Sequence, residues 1–269
     1  MTAVIGIKVP SANLNPKRRQ VAFQEDGIIL VADTRFTSNS QPLPGDGLKV
    51  GPLARNAIAG YSGDVTIAER ALKLAVQRAS RSSLAPDPVQ LQRFLQQAWK
   101  FTSTTRPPFG TTVLLGTYYR APRLYRLDSL DGFTPRLRDG PETIGHGGAR
   151  FHELLDENLD WLTQSWQARA RQPQFEIGAN GMPIKIAESG NDPFPLGLVE
   201  LSMAASMSLD ELIQEESDPT VGGKLNGITL RSTGWSSNFV SMSRDNGETW
   251  ETRSFGARNQ PLTSPPPTP

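Results

Sequence analysis

The stretch GIILVADTRFTS, residues 27–38, places five aliphatic residues between Gly27 and Asp33 and then turns polar. A run this short, rich in β-branched side chains and lacking a 3.6-residue period, reads as a buried strand. Its end raises the question of function. An acid directly after a buried run is either a solvated turn residue or a carboxylate held for chemistry, and the stretch alone leaves both readings open.

Working outward, residues 2–9 form a second strand-like run with Val4, Ile5 and Ile7, behind an initiator Met. A Met in front of a small residue is commonly trimmed, which would leave Thr2 with a free α-amine. Residues 10–20 (PSANLNPKRRQ) read as a loop and 21–24 as a resumed strand. Residues 37–47, rich in Ser, Asn, Pro and Gly, read as turn or loop, and 56–63 (NAIAGYSG) as another small buried strand. At Asp64 the period changes. Ile67, Ala71, Leu74, Ala75 and Ala79 recur at helical spacing with Asp64 placed to cap them. A second helix follows Pro86–Pro88, with Val89, Leu91, Phe94, Leu95, Ala98 and Trp99 on one side. Strands are expected at 111–118, 123–127 and 133–137, a third helix at 149–169 and an irregular insertion at 172–195. A fourth helix is expected at 196–214, then strands at 224–231 and 238–243, the last joined through Asp245-Asn246-Gly247 to 249–255. Strand groups alternating with helix pairs predict an α+β protein with helices outside a sheet sandwich. Residues 1–256 are expected to form one domain with insertions at 10–20 and 172–195, and 257–269 a Pro-rich disordered tail.

Composition narrows the chemistry. The 269 residues are 37% apolar and 20% charged, with 28 basic against 27 acidic side chains. That near-neutral balance gives no electrostatic case for nucleic acid or an anionic membrane, and the cluster Lys17-Arg18-Arg19 is too short to change it. No cysteine is present, which removes disulfides, thiolate catalysis and Cys-based zinc sites. Only His146 and His152 exist, so neither a multi-His metal site nor a cofactor is expected. Neither a secretory signal nor a membrane-spanning run is apparent, and a cytoplasmic location is expected.

Several motifs fail on context. The Gly145-His146-Gly147-Gly148 turn has Arg150 where a dinucleotide loop needs Gly, and no βαβ unit surrounds it. SRDNGETW at 243–250 matches a sialidase-type Asp-box, but only once and without blades, so it reads as a hairpin with Trp250 at its base. No G-x-S-x-G elbow accompanies either histidine. What remains is Thr2, Asp33 and Lys49. A Thr hydroxyl is a weak nucleophile until a base takes its proton, and a free α-amine titrates near neutrality. Such a site also needs a cation, a carboxylate to orient it and backbone N–H groups for the oxyanion. Taken alone, Asp33 reads as a turn acid and Lys49 as a solvated loop residue.

The block at 27–38 resembles the G-x-x-(apolar)-A-x-D-S-R-x-T block of proteasome β-type peptidases, which are N-terminal nucleophile (Ntn) hydrolases. Asp33, Arg35 and Thr37 fall on that family's Asp, Arg and substrate-binding Thr, and Lys49 follows Asp33 by the family's sixteen positions. AGYSGDV at 59–65 resembles the A-x-x-G-x-x-A strand end, with Gly63 on the oxyanion-hole Gly. The blocks at 111–133 and 144–159 continue the order, and 217–230 (SDPTVGGKLNGITL) resembles the D-x-x-S-G-G stretch. The resemblance thus runs from Thr2 to about Leu230. Three departures stand out. The interval from Thr2 to Asp33 exceeds the family's, with the excess placed in the 10–20 loop. His146 replaces the Ser of a G-S-G turn, and Val221 replaces the Ser of D-x-x-S-G-G. Asp218 is kept and placed to orient Thr2. His146 retains hydrogen-bonding capacity, whereas the Val221 side chain has none.

The resemblance implies a four-layer αββα fold. It also implies a threonine peptidase with Thr2 as nucleophile, its α-amine as base, Lys49 held by Asp33, and Gly63 as oxyanion donor. His146 and Asp218 would stand beside the amine. Thr37 would bind substrate, and Phe36, Gly47, Gly51, Tyr61 and Val65 would line the primary specificity pocket, with Phe36 and Tyr61 narrowing it. Unfolded protein or peptide is the expected substrate, and a homo-oligomer of stacked rings the expected assembly; an unfoldase or cap is left open. Two alternatives keep the fold. One is a non-catalytic ring subunit, favoured by His146 and Val221, and the other an amidohydrolase acting on a non-peptide amide.

Overall fold

Residues 28–32 serve two cores at once. Ile29 and Val31 pack with helices on one side of their sheet, while Ile28, Leu30 and Ala32 pack against a second sheet. A two-residue period with both faces buried explains why the run looks uniformly apolar. The computed structural model describes residues 3–9, 26–38, 41–82, 87–145, 148–170, 174–177, 183–187, 197–216, 225–240, 244–245 and 249–250.

In chain order the elements begin with β1 (Ala3–Val9), β2 (Gly27–Asp33), β3 (Arg35–Ser38), β4 (Gln41–Asp46), β5 (Val50–Ala54) and β6 (Ala57–Gly63). Helices α1 (Val65–Ser82) and α2 (Pro88–Ser103) lead into β7 (Thr111–Tyr118), β8 (Pro122–Asp128), β9 (Arg136–Arg138) and β10 (Glu142–Gly145). Then come α3 (Gly148–Ala170), β11 (Gln174–Ile177), β12 (Pro183–Ala187) and α4 (Leu198–Glu216). The last are β13 (Leu225–Arg231), β14 (Gly234–Val240), β15 (Arg244–Asp245) and β16 (Thr249–Trp250). No described helix is long and apolar enough to cross a membrane.

Two antiparallel five-stranded sheets carry the architecture, in the orders β10-β1-β2-β13-β14 and β5-β6-β7-β8-β9. Their inner faces meet through Val4, Ile28, Leu30, Val50, Ile58, Leu114, Leu124 and Ile228. On the outer face of the first sheet, α3 and α4 bury Phe151, Leu154, Leu201, Ala205 and Leu209 against Ile5, Ile29 and Val31. On the outer face of the second, α1 and α2 bury Ile67, Ala71, Leu91 and Leu95 against Ala59, Val113 and Leu115. The protein is therefore an α+β, four-layer αββα sandwich, in which each helix pair covers the apolar face its sheet leaves open. Gly6 and Gly116 let the sheets approach: a Cβ on Gly6 would lie 2.9 Å from Leu114 Cδ1, and one on Gly116 2.9 Å from Ile28 Cγ2.

Local readings diverge from the structure where Gly and Pro punctuate a strand. The expected loop at 37–47 contains the β3–β4 hairpin, with Thr37 opposite Pro42 and Ser38 opposite Gln41. A two-stranded ribbon has free edges, so Pro42 costs no ladder bond to a third strand. β5, with Gly51 and Pro52, and the edge strand β10 lack a local strand pattern and are set by pairing with β6 and β1. The strand expected at 133–137 starts only at Arg136, because Gly132 and Phe133 are both left-handed (φ 69° and 63°). Phe133 turns inward there, edge-on to Trp99 at 5.8 Å between ring centroids. β14 begins at Gly234 rather than 238, since Gly234 (φ 127°) closes a tight hairpin on β13. The expected irregular insertion at 172–195 holds the β11–β12 hairpin. Arg244 pairs with Trp250 and Asp245 with Thr249, forming the hairpin read from SRDNGETW. The 10–20 loop, the strand expected at 21–24 and the 257–269 tail lie outside the described residues.

Candidate active site

Asp33 ends β2, the central strand of the first sheet, and Lys49 immediately precedes β5 at the edge of the second. Closing the sandwich brings them together. The Lys49 ammonium donates to Asp33 Oδ2 at 2.8 Å, and both side chains are fully buried. The other oxygen, Asp33 Oδ1, accepts from the Ala3 N–H at 3.0 Å. Lys49 Nζ also donates to the Arg35 carbonyl oxygen, so the turn after β2 contributes a backbone acceptor. One carboxylate thus ties the first residue of β1 to a cation supplied by the opposite sheet.

A buried ion pair is a poor way to gain stability, since desolvating two charges consumes much of their attraction. Burial pulls the Lys49 ammonium below the ordinary lysine range; the attraction and hydrogen bond of Asp33 act against that, and the Arg35 charge acts with it. The result is a dry cation that gives up its proton more readily than a surface lysine. Strongly desolvated charged groups of this kind cluster at functional sites.

β6 carries the next feature. Tyr61 N–H donates to the Lys49 carbonyl at 3.0 Å, and Gly63 lies two residues further along the same strand, exposed. Gly63 has φ 98°, and a Cβ there would fall 1.8 Å from the Gly110 carbonyl oxygen. Only glycine fits a left-handed residue pressed against backbone in this way. Asp64 follows, and its carboxylate accepts from Thr66 N–H (3.1 Å) and Ile67 N–H (3.4 Å), capping α1.

Of the proposed pocket residues, Gly47 N–H donates to the Thr34 carbonyl at 2.9 Å, which folds the chain back toward β2. Gly51 is buried in β5 and Val65 is half-buried at the start of α1. Tyr61 is 2% exposed and packs within the core beneath α1 and α2. Alternation along β6 explains this, since Ala57, Ala59 and Tyr61 share the helix-facing side. Phe36 and Thr37 lie on β3. Thr2, His146, Asp218 and Val221 lie outside the described residues, as do the side chains of Phe36 and Thr37.

Sequence reasoning missed Asn226. It lies on β13 opposite Ala32, is 4% exposed, and donates to the Val50 carbonyl at 3.3 Å. The bond crosses from one sheet to the other beside Lys49. Its signal is an amide inside the mostly apolar strand LNGITLR. Among the described residues no three of His, Cys, Asp and Glu converge as metal ligands would.

A family model described as Proteasome subunit matches residues 22–159, a span that includes β2, Lys49, Gly63, α1 and α2. No curated protein matches the sequence.

Proposed function

Because the chain belongs to the proteasome subunit family, we propose that it is a threonine-type peptidase whose nucleophile is Thr2, exposed by removal of Met1. The observation that supports this most is the grip of Asp33 on both Lys49 and the Ala3 N–H, the peptide group that joins Ala3 to Thr2. A carboxylate in that place fixes the start of β1 relative to a buried cation. Ala3, the residue that follows Thr2 in the sequence, is thereby held to the pair.

In the proposed reaction the α-amine of Thr2 takes the proton of its own hydroxyl, and Oγ forms a bond to the scissile carbonyl carbon. The electron pair moves to the carbonyl oxygen, where the Gly63 N–H stabilises the negative charge. Lys49, cationic in a dry site, favours the deprotonated hydroxyl electrostatically, and Asp33 keeps Lys49 in place. Collapse of the adduct breaks the C–N bond, the leaving amine takes the proton from the α-ammonium, and an ester on Thr2 remains. Water then attacks the ester by the same proton route and releases the acid. Peptides or unfolded chains fit this chemistry. Stacked homo-oligomeric rings with inward sites follow from the family as the proposed assembly.

A second reading, a non-catalytic subunit, draws on Val221, which supplies no hydroxyl where the family has one. One experiment separates the two. Intact-mass measurement of the expressed chain, before and after an electrophile directed at N-terminal threonine, is expected to show loss of Met1 and one adduct. Thr2→Ala is expected to abolish both adduct and peptide hydrolysis. Retained Met1, or equal hydrolysis by the variant, would sink the peptidase reading.

A further inference from the structure

Asp64 is a carboxylate set directly after the residue proposed to bind an oxyanion. Capping α1 does not require it, because Ser or Asn caps as well without a charge. A negative group beside a developing negative charge works against catalysis. The structure contains its counterweight. Arg106 engages Asp64 in a two-pronged pair, Nη2 to Oδ1 at 2.8 Å and Nη1 to Oδ2 at 2.8 Å. The Asp64 side chain is 1% exposed and that of Arg106 39% exposed. The same carboxylate accepts from Phe109 N–H at 3.3 Å. Arg106 and Phe109 belong to the segment joining α2 to β7, and that segment ends at Gly110, whose carbonyl Gly63 abuts. Asp64 therefore meets α1 on one side and the segment over Gly63 on the other.

Resting on the peptidase reading, we infer that Arg106 is a positioning residue of the oxyanion site: it neutralises Asp64, so that the Gly63 N–H faces the developing oxyanion without a bare carboxylate behind it. Burial by itself would push the Asp64 carboxyl up. The hydrogen bond from Arg106, then the N–H of Phe109, the Arg106 charge and the N–H of Ile67 outweigh it and hold Asp64 below the usual carboxylate range. The carboxylate is thus charged throughout the working pH range, and its partner is needed throughout that range too. Arg106 touches neither substrate nor nucleophile in this scheme. Its effect passes through Asp64.

A charge role and a mere anchoring role predict different outcomes in a double-mutant cycle. Arg106→Ala is expected to lower kcat on the order of a hundredfold, comparable to losing an oxyanion donor, with KM changed far less. Adding Asp64→Asn to Arg106→Ala removes the uncompensated charge while keeping a capping oxygen, and is expected to recover most of kcat. Arg106→Lys keeps the charge but loses the planar fork, and is expected to stay within about tenfold of wild type. A double variant as impaired as Arg106→Ala, or an Arg106→Lys variant as impaired, would overturn the inference in favour of anchoring, as would an unchanged kcat in Arg106→Ala. Arg106→Lys keeps the test open should Arg106→Ala fail to fold. Labelling of wild-type Thr2 by the electrophile is measured alongside. Its absence overturns the parent reading and this one together, whereas labelling with no recovery in the double variant overturns this one alone.

Discussion

At Lys49 the energetics of a single side chain bear on activity and stability with opposite signs. Burial makes its folded-state pKa lower than the ordinary 10.5. In the peptidase reading the ammonium is needed, so kcat is expected to fall as pH rises, with an alkaline midpoint below 10.5. For stability the unfolded chain binds the proton more tightly than the folded one, so the cost of the buried cation is relieved as pH rises through that window. Wild type is therefore expected to gain stability relative to Lys49→Met across the same interval. The comparison with the variant matters because burial, followed by the Glu69 charge, pushes the Tyr61 hydroxyl up, which acts in the opposite direction. Urea unfolding of both proteins across the alkaline range measures the difference, and a flat difference would show that Lys49 is not desolvated as described. None of this is legible at the residue level in sequence, where Lys49 taken alone reads as a solvated loop side chain.

The junction of β6 and α1 is where element-level signals and tertiary constraints meet. Asp64 announced the helix start, and its two N–H bonds to α1 agree with that expectation. Gly63 needs more than the sequence holds, because its neighbour Gly110 is distant in the chain and its Cβ would overlap that carbonyl at 1.8 Å. Gly63→Ala is expected to destabilise the fold by about 2–4 kcal/mol, through left-handed strain and backbone collision together, and to reduce kcat at least a hundredfold. Gly132 supplies the control. It is also left-handed (φ 69°), but a Cβ there meets nothing within 4 Å, so Gly132→Ala is expected to cost only about 1 kcal/mol. Equal losses in thermal or urea unfolding would mean that strain alone, and not the Gly110 contact, dictates glycine at 63. β5 and β10 escaped the sequence reading at this same scale. Gly51 and Pro52 punctuate one, and Gly145 ends the other, so neither carries a local strand pattern, and the ladders come from neighbouring strands.

For the molecule as a whole, the two sheets are held by interdigitation of their inner faces. Leu114 is fully buried there and lies against Gly6 of the opposite sheet. Leu114→Ala is expected to lose about 2–5 kcal/mol, since the gap between two stiff sheets collapses poorly. Circular dichroism and tryptophan fluorescence are expected to report one shared transition, because both sheets lose the same contacts. Two separated transitions would instead show that each sheet with its helix pair unfolds by itself. The same closure places Asp33 against Lys49 and carries Asn226 across to Val50, so this core also sets the geometry of the site.

Features that depend on neighbours a few residues apart are legible in the sequence: the main apolar strands, the helix faces and the cap at Asp64. The sequence also held Asp33 and Lys49 at an interval that resembled a known family. The closed fold alone makes this pair dry, wedges Gly63 against Gly110, puts Tyr61 in the core and sets Arg106 against Asp64. The difference is one of range. Hydrogen-bond periodicity and capping are local to the chain, whereas desolvation and ion pairing depend on which surfaces the sandwich closes over.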